Sequence, residues 1–95
     1  MATFIDQNSN AVNVTPANQK RGFTLQELYS IIDCNTVQAV QLADGRTMWM
    51  DEDAKLREGL QFVNLKATIL LAEAGGIPGD EVIGHVLITQ PGEVK

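Results

Sequence analysis

Ninety-five residues allow one small domain, and 44% hydrophobic with 20% charged residues is the balance of a globular chain that folds, not of a disordered one. Seven Lys plus Arg against twelve Asp plus Glu leave a net charge of -5, so the overall field repels nucleic acid and anionic membrane, and a general DNA or RNA binder is not expected. Cys34 is the single cysteine and can form no internal disulfide, which together with the lack of a signal-peptide or membrane-span apolar run predicts a cytoplasmic protein.

Residues 1–22 are polar and turn-rich, but Phe4-Ile5 and Val12 to Val14 bracket Asn8-Ser9-Asn10. That pattern fits a small N-terminal hairpin or a mobile arm that pairs only in an oligomer. Thr24-Leu25-Gln26-Glu27 is a capping box, with Phe23 and Leu28 as its hydrophobic staple. Leu25, Leu28, Tyr29 and Ile32 follow at helical spacing, so a helix is expected over 25–33, ending in the turn-forming Asp33 to Asn35.

Thr36 to Ala43 and Arg46 to Met50 read as paired strands around Asp44-Gly45, with a tight type I′ turn expected between them. Met48-Trp49-Met50 is apolar throughout: the strand is covered on both faces with Trp49 in the core, or Trp49 projects as an anchor at a partner surface. Asp51-Glu52-Asp53 precedes a short helical turn ending at Gly59. Asn64 can cap a second helix, 65–74, whose apolar residues cover most of its circumference and predict a buried element. Gly75-Gly76 would stop it, Pro78-Gly79-Asp80 would form a loop, and Val82 to Thr89 would form the last strand, with Val82, Val86 and Ile88 on one face and His85 on the other. The expected fold is α+β, a small antiparallel sheet packed against two main helices in a single domain, divided as an N-terminal segment 1–22, a compact body 23–90 and a C-terminal tail 91–95.

Chemistry is sparse. Asp51 and Asp53 alternate as in a calcium loop, but Lys55, Leu56 and Phe62 stand where oxygen ligands and glycine are required, so no metal is expected. Cys34 and the single His85 have no orienting third group in the sequence. Gly75 to Gly79 follows a helix and lacks the Lys-Ser/Thr pair of a phosphate loop. No nucleophile elbow, zinc-protease or dinucleotide fingerprint occurs, and the expectation is a protein without catalytic residues or cofactor.

From Phe23 to Ile88 the order of signals resembles a family of small domains found in phages, plasmids and bacterial genomes, domain of unknown function 3846. The resemblance rests on the helix Thr24 to Ile32, Asp44-Gly45, Asp51-Glu52, Lys55-Leu56, Asn64 with Ala67-Thr68, and Asp80-Glu81-Val82-Ile83-Gly84. It departs from the family pattern at Asp33-Cys34-Asn35, where paired glycines are usual, and at the extra Glu81. The family implies no reaction, cofactor or catalytic residues. By analogy with other short acidic proteins of mobile elements, it favours a binder.

Two functional expectations follow. The first is a non-enzymatic accessory protein that docks on another protein through Met48, Trp49 and Met50 with the acidic rim Asp51, Glu52 and Asp53, an apolar anchor beside charge. The second is a nucleotide-binding or sequestering protein, such as an inhibitor of host defence signalling, in which Arg46, Lys55, Arg57 and Lys66 converge on phosphates in an intersubunit pocket. A homo-oligomer is expected in either case, because a chain this short gains core by pairing.

Overall fold

A computed structural model describes residues 2–18, 20–53, 63–74 and 81–94. Five strands, β1 (Ala2–Ile5), β2 (Ala11–Val14), β3 (Val37–Gln41), β4 (Thr47–Asp51) and β5 (Val86–Thr89), form one antiparallel sheet in the order β2-β1-β5-β4-β3. Two helices, α1 (Leu25–Ile32) and α2 (Leu65–Glu73), complete an α+β domain. The expected turn ending at Gly59 and the expected stop and loop over 75–80 lie outside the described residues.

The N-terminal segment is a hairpin whose first strand runs inside the sheet, between β2 and β5. Asp6 organises its turn: Oδ1 accepts the Asn8 and Asn10 amides at 2.9 Å each, and Ser9 adopts the left-handed conformation at φ 68°. The three-residue connection is closed by the Asp6 amide on the Asn10 carbonyl at 3.0 Å.

The β3–β4 turn repeats this construction and corrects the expected type I′ turn. Type I′ needs positive φ at both central residues, yet among the described non-glycine residues only Ser9 and Asp33 have it, so Asp44 does not. The connection is instead Ala43-Asp44-Gly45, with Leu42 paired to Arg46 and Gly45 alone left-handed at φ 92°. Asp44 holds it by accepting the Arg46 amide at 3.1 Å and the Arg46 guanidinium at 2.7 Å.

The two helices pack on opposite faces of the sheet. On one, Leu28 and Ile32 of α1 meet Ala2, Phe23 and Leu87, with Phe4, Val37 and Trp49 partly buried beside them. On the other, Ala67 and Leu71 of α2 meet Ile5, Leu42, Met48, Val82, Val86 and Ile88. Strand alternation accounts for the split, and every residue of β5, the central strand, is buried because both faces are covered. Thr24 caps α1 with the full capping box: its hydroxyl accepts the Glu27 amide, and Glu27 accepts the Thr24 amide, each at 3.2 Å.

Two expectations need correction. The helix 65–74 is not buried all round, because it covers a single sheet face: Leu65 and Ile69 are 64% and 56% exposed. Nor does the last strand run unbroken from Val82. A left-handed Gly84 at φ 82° interrupts it, Ile83 makes only an isolated bridge to Val63, and the sheet strand begins at Val86. Val82, Val86 and Ile88 nevertheless share one cluster.

Candidate functional site

The Met48-Trp49-Met50 run does not form one surface. β4 lies inside the sheet, so its side chains alternate between two covered faces: Met48 is fully buried and Met50 packs on the same cluster, while Trp49 is half-buried on the opposite, α1 face. The Trp49 indole N–H donates to the buried Thr89 hydroxyl at 3.0 Å, which satisfies its polar edge inside the protein. Of the hairpin 36–50, the side presented outward is therefore the backbone edge of β3 rather than the side chains of β4.

The geometry of that edge follows from the pairing. The Leu42 amide bonds the Arg46 carbonyl at 2.8 Å and the Glu52 amide bonds the Thr36 carbonyl at 3.2 Å, with Val40 opposite Met48 and Gln38 opposite Met50 between them. Even-numbered residues of β3 thus turn their backbone groups to β4, and Val37, Ala39 and Gln41 turn theirs away from the sheet. Gln38, Ala39 and Gln41 are exposed, and the strand holds no charge, proline or bulge of the kind that usually guards an edge.

The acidic turn sits at the start of this edge. Thr36 donates its hydroxyl to Asp53 Oδ2 at 3.1 Å, and the Asp53 amide bonds Asp51 Oδ1 at 2.9 Å, so Asp51, Glu52 and Asp53 are folded against the residue that precedes β3. Glu52 and Asp53 are exposed. The structure thus brings the acidic rim to β3, not to a methionine-tryptophan patch.

The cations expected to gather on phosphate are not brought together among the described residues. Lys55 and Arg57 lie outside them. Arg46 is engaged with Asp44 and lines a depression of about 150 Å³ that Glu73, near the end of α2, also lines, an acidic setting that disfavours a phosphate. Lys66 stands in the first turn of the same helix, exposed, with its amide on Ser9 Oγ at 3.3 Å.

His85 and Cys34 are both taken up in packing. His85 Nδ1 accepts the Gln7 amide at 3.1 Å and its ring lies 5.4 Å from that of Phe4, so it is half-buried rather than on the surface. Cys34 packs against the α1 cluster. The buried Asn64 is a residue whose full role the sequence conceals. Besides capping α2 through the Ala67 amide at 3.1 Å, its side-chain amide donates to the Ile5 and Gly84 carbonyls at 3.1 and 2.9 Å, tying helix, β1 and the approach to β5 together. Its position ahead of an apolar helix signals the cap, but nothing in the local sequence signals the two distant carbonyls.

Three exposed carboxyls lie below their ordinary range. Backbone amides do this in each case, first from Asn10 to Asp6, from Ala17 to Glu27 and from Arg46 to Asp44. All three hold turns or caps. No helix among the described residues is long and apolar enough to cross a membrane.

No curated protein and no solved structure shows a significant match to the chain. A family model does, over residues 2–94, which takes in the N-terminal hairpin as well as the stretch from Phe23 to Ile88, and the chain belongs to that family, the domain of unknown function DUF3846.

Proposed function

We propose that this chain is a non-enzymatic binding domain that receives a protein strand along the outer edge of β3, with Asp51, Glu52 and Asp53 as its charged rim. The observation that carries this reading is the edge itself, unpaired among the described residues, with the backbone groups of Val37, Ala39 and Gln41 turned away from the sheet. Strand addition draws its affinity from main-chain hydrogen bonds, so it needs no deep pocket and no catalytic group. The opposite edge is poorer: the closure of the first hairpin at Asp6 and Asn10 leaves only Ala11 and Asn13 of β2 facing outward. The proposed setting is a cytoplasmic accessory protein of a phage or other mobile element.

Nucleotide sequestration is the lesser reading, because Arg46 is held by Asp44 and Lys66 stands at the far end of α2. The test is binding by the full chain and by its Ala39→Pro variant. Proline at 39 removes an outward N–H and leaves the bonds to β4 intact, so the variant folds and loses partner binding at least tenfold. Undiminished binding refutes the edge reading, and a nucleotide that copurifies and is released by Arg46→Ala or Lys66→Ala refutes it in favour of sequestration.

A further inference from the structure

The register and charge of β3 favour one occupant of its outer edge, and the inference rests on the binding role proposed for that edge. In an antiparallel pairing of two β3 strands with Ala39 opposite Ala39, Val37 of each copy faces Gln41 of the other. All three outward-facing residues then meet outward-facing residues, giving two N–H···O bonds for each of the three facing pairs, about six in all. Moving the two-fold axis by one residue, to Gln38 or to Val40, leaves one of the three without a partner from this set. The alanine at the centre is exposed and is the smallest side chain of the strand, so the axis is uncrowded.

Charge selects the same arrangement. β3 itself carries none, so two copies of a chain with net charge -5 meet there without opposed like charges. Antiparallel pairing lays the Asp51-Glu52-Asp53 turn of one copy beside the Asp44-Gly45-Arg46 turn of the other, because Thr36 then faces Leu42 across the junction. The three acids thereby meet the neutral Arg46–Asp44 ion pair, with no second acidic turn opposite them. Parallel pairing would set the two acidic turns side by side instead.

We propose that β3 is the site of self-association: a second copy of this chain adds antiparallel along it, with the two-fold axis at Ala39, to make one ten-stranded sheet. Such an interface is closed, since each copy uses the same strand, and the outer edges of the dimer are the short β2 strands.

Sedimentation of the full chain across a hundredfold range of concentration, up to about 1 mM, tests this. The expected result is a reversible equilibrium between the 10.3 kDa species and one of twice that mass. Ala39→Pro weakens it at least tenfold, while circular dichroism shows the sheet retained. Ala39→Lys, which sets two ammonium groups at the axis, is the second variant should the first fail to fold, and the weakening it causes is relieved by salt. A dimer unaffected by both substitutions, or growth beyond a dimer, overturns the assignment. So does a chain that stays at 10.3 kDa throughout. In that last case, loss of a different partner's binding in Ala39→Pro preserves the edge as a binding site, and undiminished binding removes both readings.

Discussion

Asn64 is fully buried at the start of α2, where one side-chain oxygen caps the helix and one side-chain nitrogen donates to two carbonyls from distant segments. Asn64→Ala removes all of these contacts. Loss of the cap costs about 1 kcal/mol, and loss of the two bonds to Ile5 and Gly84 costs about 0.5 to 1.5 kcal/mol each. The total is about 2 to 4 kcal/mol, a large share of the stability of a small domain. Asn64→Asp is the sharper perturbation. Aspartate is as good a cap as asparagine, so an account resting on capping alone expects no loss. Here the carboxylate would place an oxygen against the Ile5 and Gly84 carbonyls in a buried site, losing both donor bonds and adding repulsion, so this variant is at least as unstable as the alanine one at neutral pH. Burial and the two carbonyls raise the pKa of the introduced acid, so its deficit relative to the native chain narrows as pH falls and the group regains a proton to donate. Urea unfolding followed through the fluorescence of the single tryptophan reads this directly. With a slope of about 1 to 1.5 kcal/mol per molar, a 3 kcal/mol loss lowers the midpoint by about 2 M or more. An Asn64→Asp variant as stable as the native chain at neutral pH would refute the bridging role.

Leu28→Ala and Leu71→Ala, one on each face of the sheet, should each cost about 2 to 5 kcal/mol, since both side chains are buried in separate clusters; losses below about 0.5 kcal/mol by the same urea assay would remove them from the core. Replacing Thr89 by Val keeps the volume but deprives the Trp49 indole of its acceptor, with an expected loss of about 1 kcal/mol and a shifted tryptophan emission; an unchanged spectrum and midpoint would place the indole elsewhere. Asp6, Glu27 and Asp44 have depressed pKa values, so their contribution to stability is complete above the ordinary carboxylate range, about pH 4 to 4.5, and is lost as pH falls through the lower folded values. The variant Glu27→Gln should flatten the acid limb of the stability profile, and an unaltered limb would show that the Glu27 carboxylate, held by the Ala17 and Thr24 amides, is not the source.

Elements carried by local signals were legible in the sequence. Thr24 to Glu27 announces its helix because a capping box is closed within four residues, and Asn64 announces the second as a simple cap, its side chain accepting the Ala67 amide three residues on. The β3–β4 hairpin was legible too, but not its turn type, since Asp-Gly serves a two-residue turn as well as a three-residue one and the choice falls on a single backbone angle at Asp44. Strand order was out of reach. No local pattern places β5 between β1 and β4, and without that order Met48, Trp49 and Met50 look like one surface when the sheet divides them between two faces. The apolar residues Leu65 and Ile69 mislead for a related reason, since periodicity cannot tell a helix covered all round from one resting on a single sheet face. The site moved with the topology: the hairpin and its acidic turn are where the sequence put them, but the exposed feature is the backbone of β3.

That β3 closes the sheet with Val37, Ala39 and Gln41 facing outward is tested most directly by residue-resolved amide hydrogen exchange at a concentration where the chain is alone. Gln38 and Val40, bonded to β4, should be protected, while Val37, Ala39 and Gln41 exchange quickly and become protected only as the chain is concentrated or meets its partner. Protection of Val37, Ala39 and Gln41 in the dilute chain would mean that the edge is already covered or the register shifted by one residue, and would contradict the binding site.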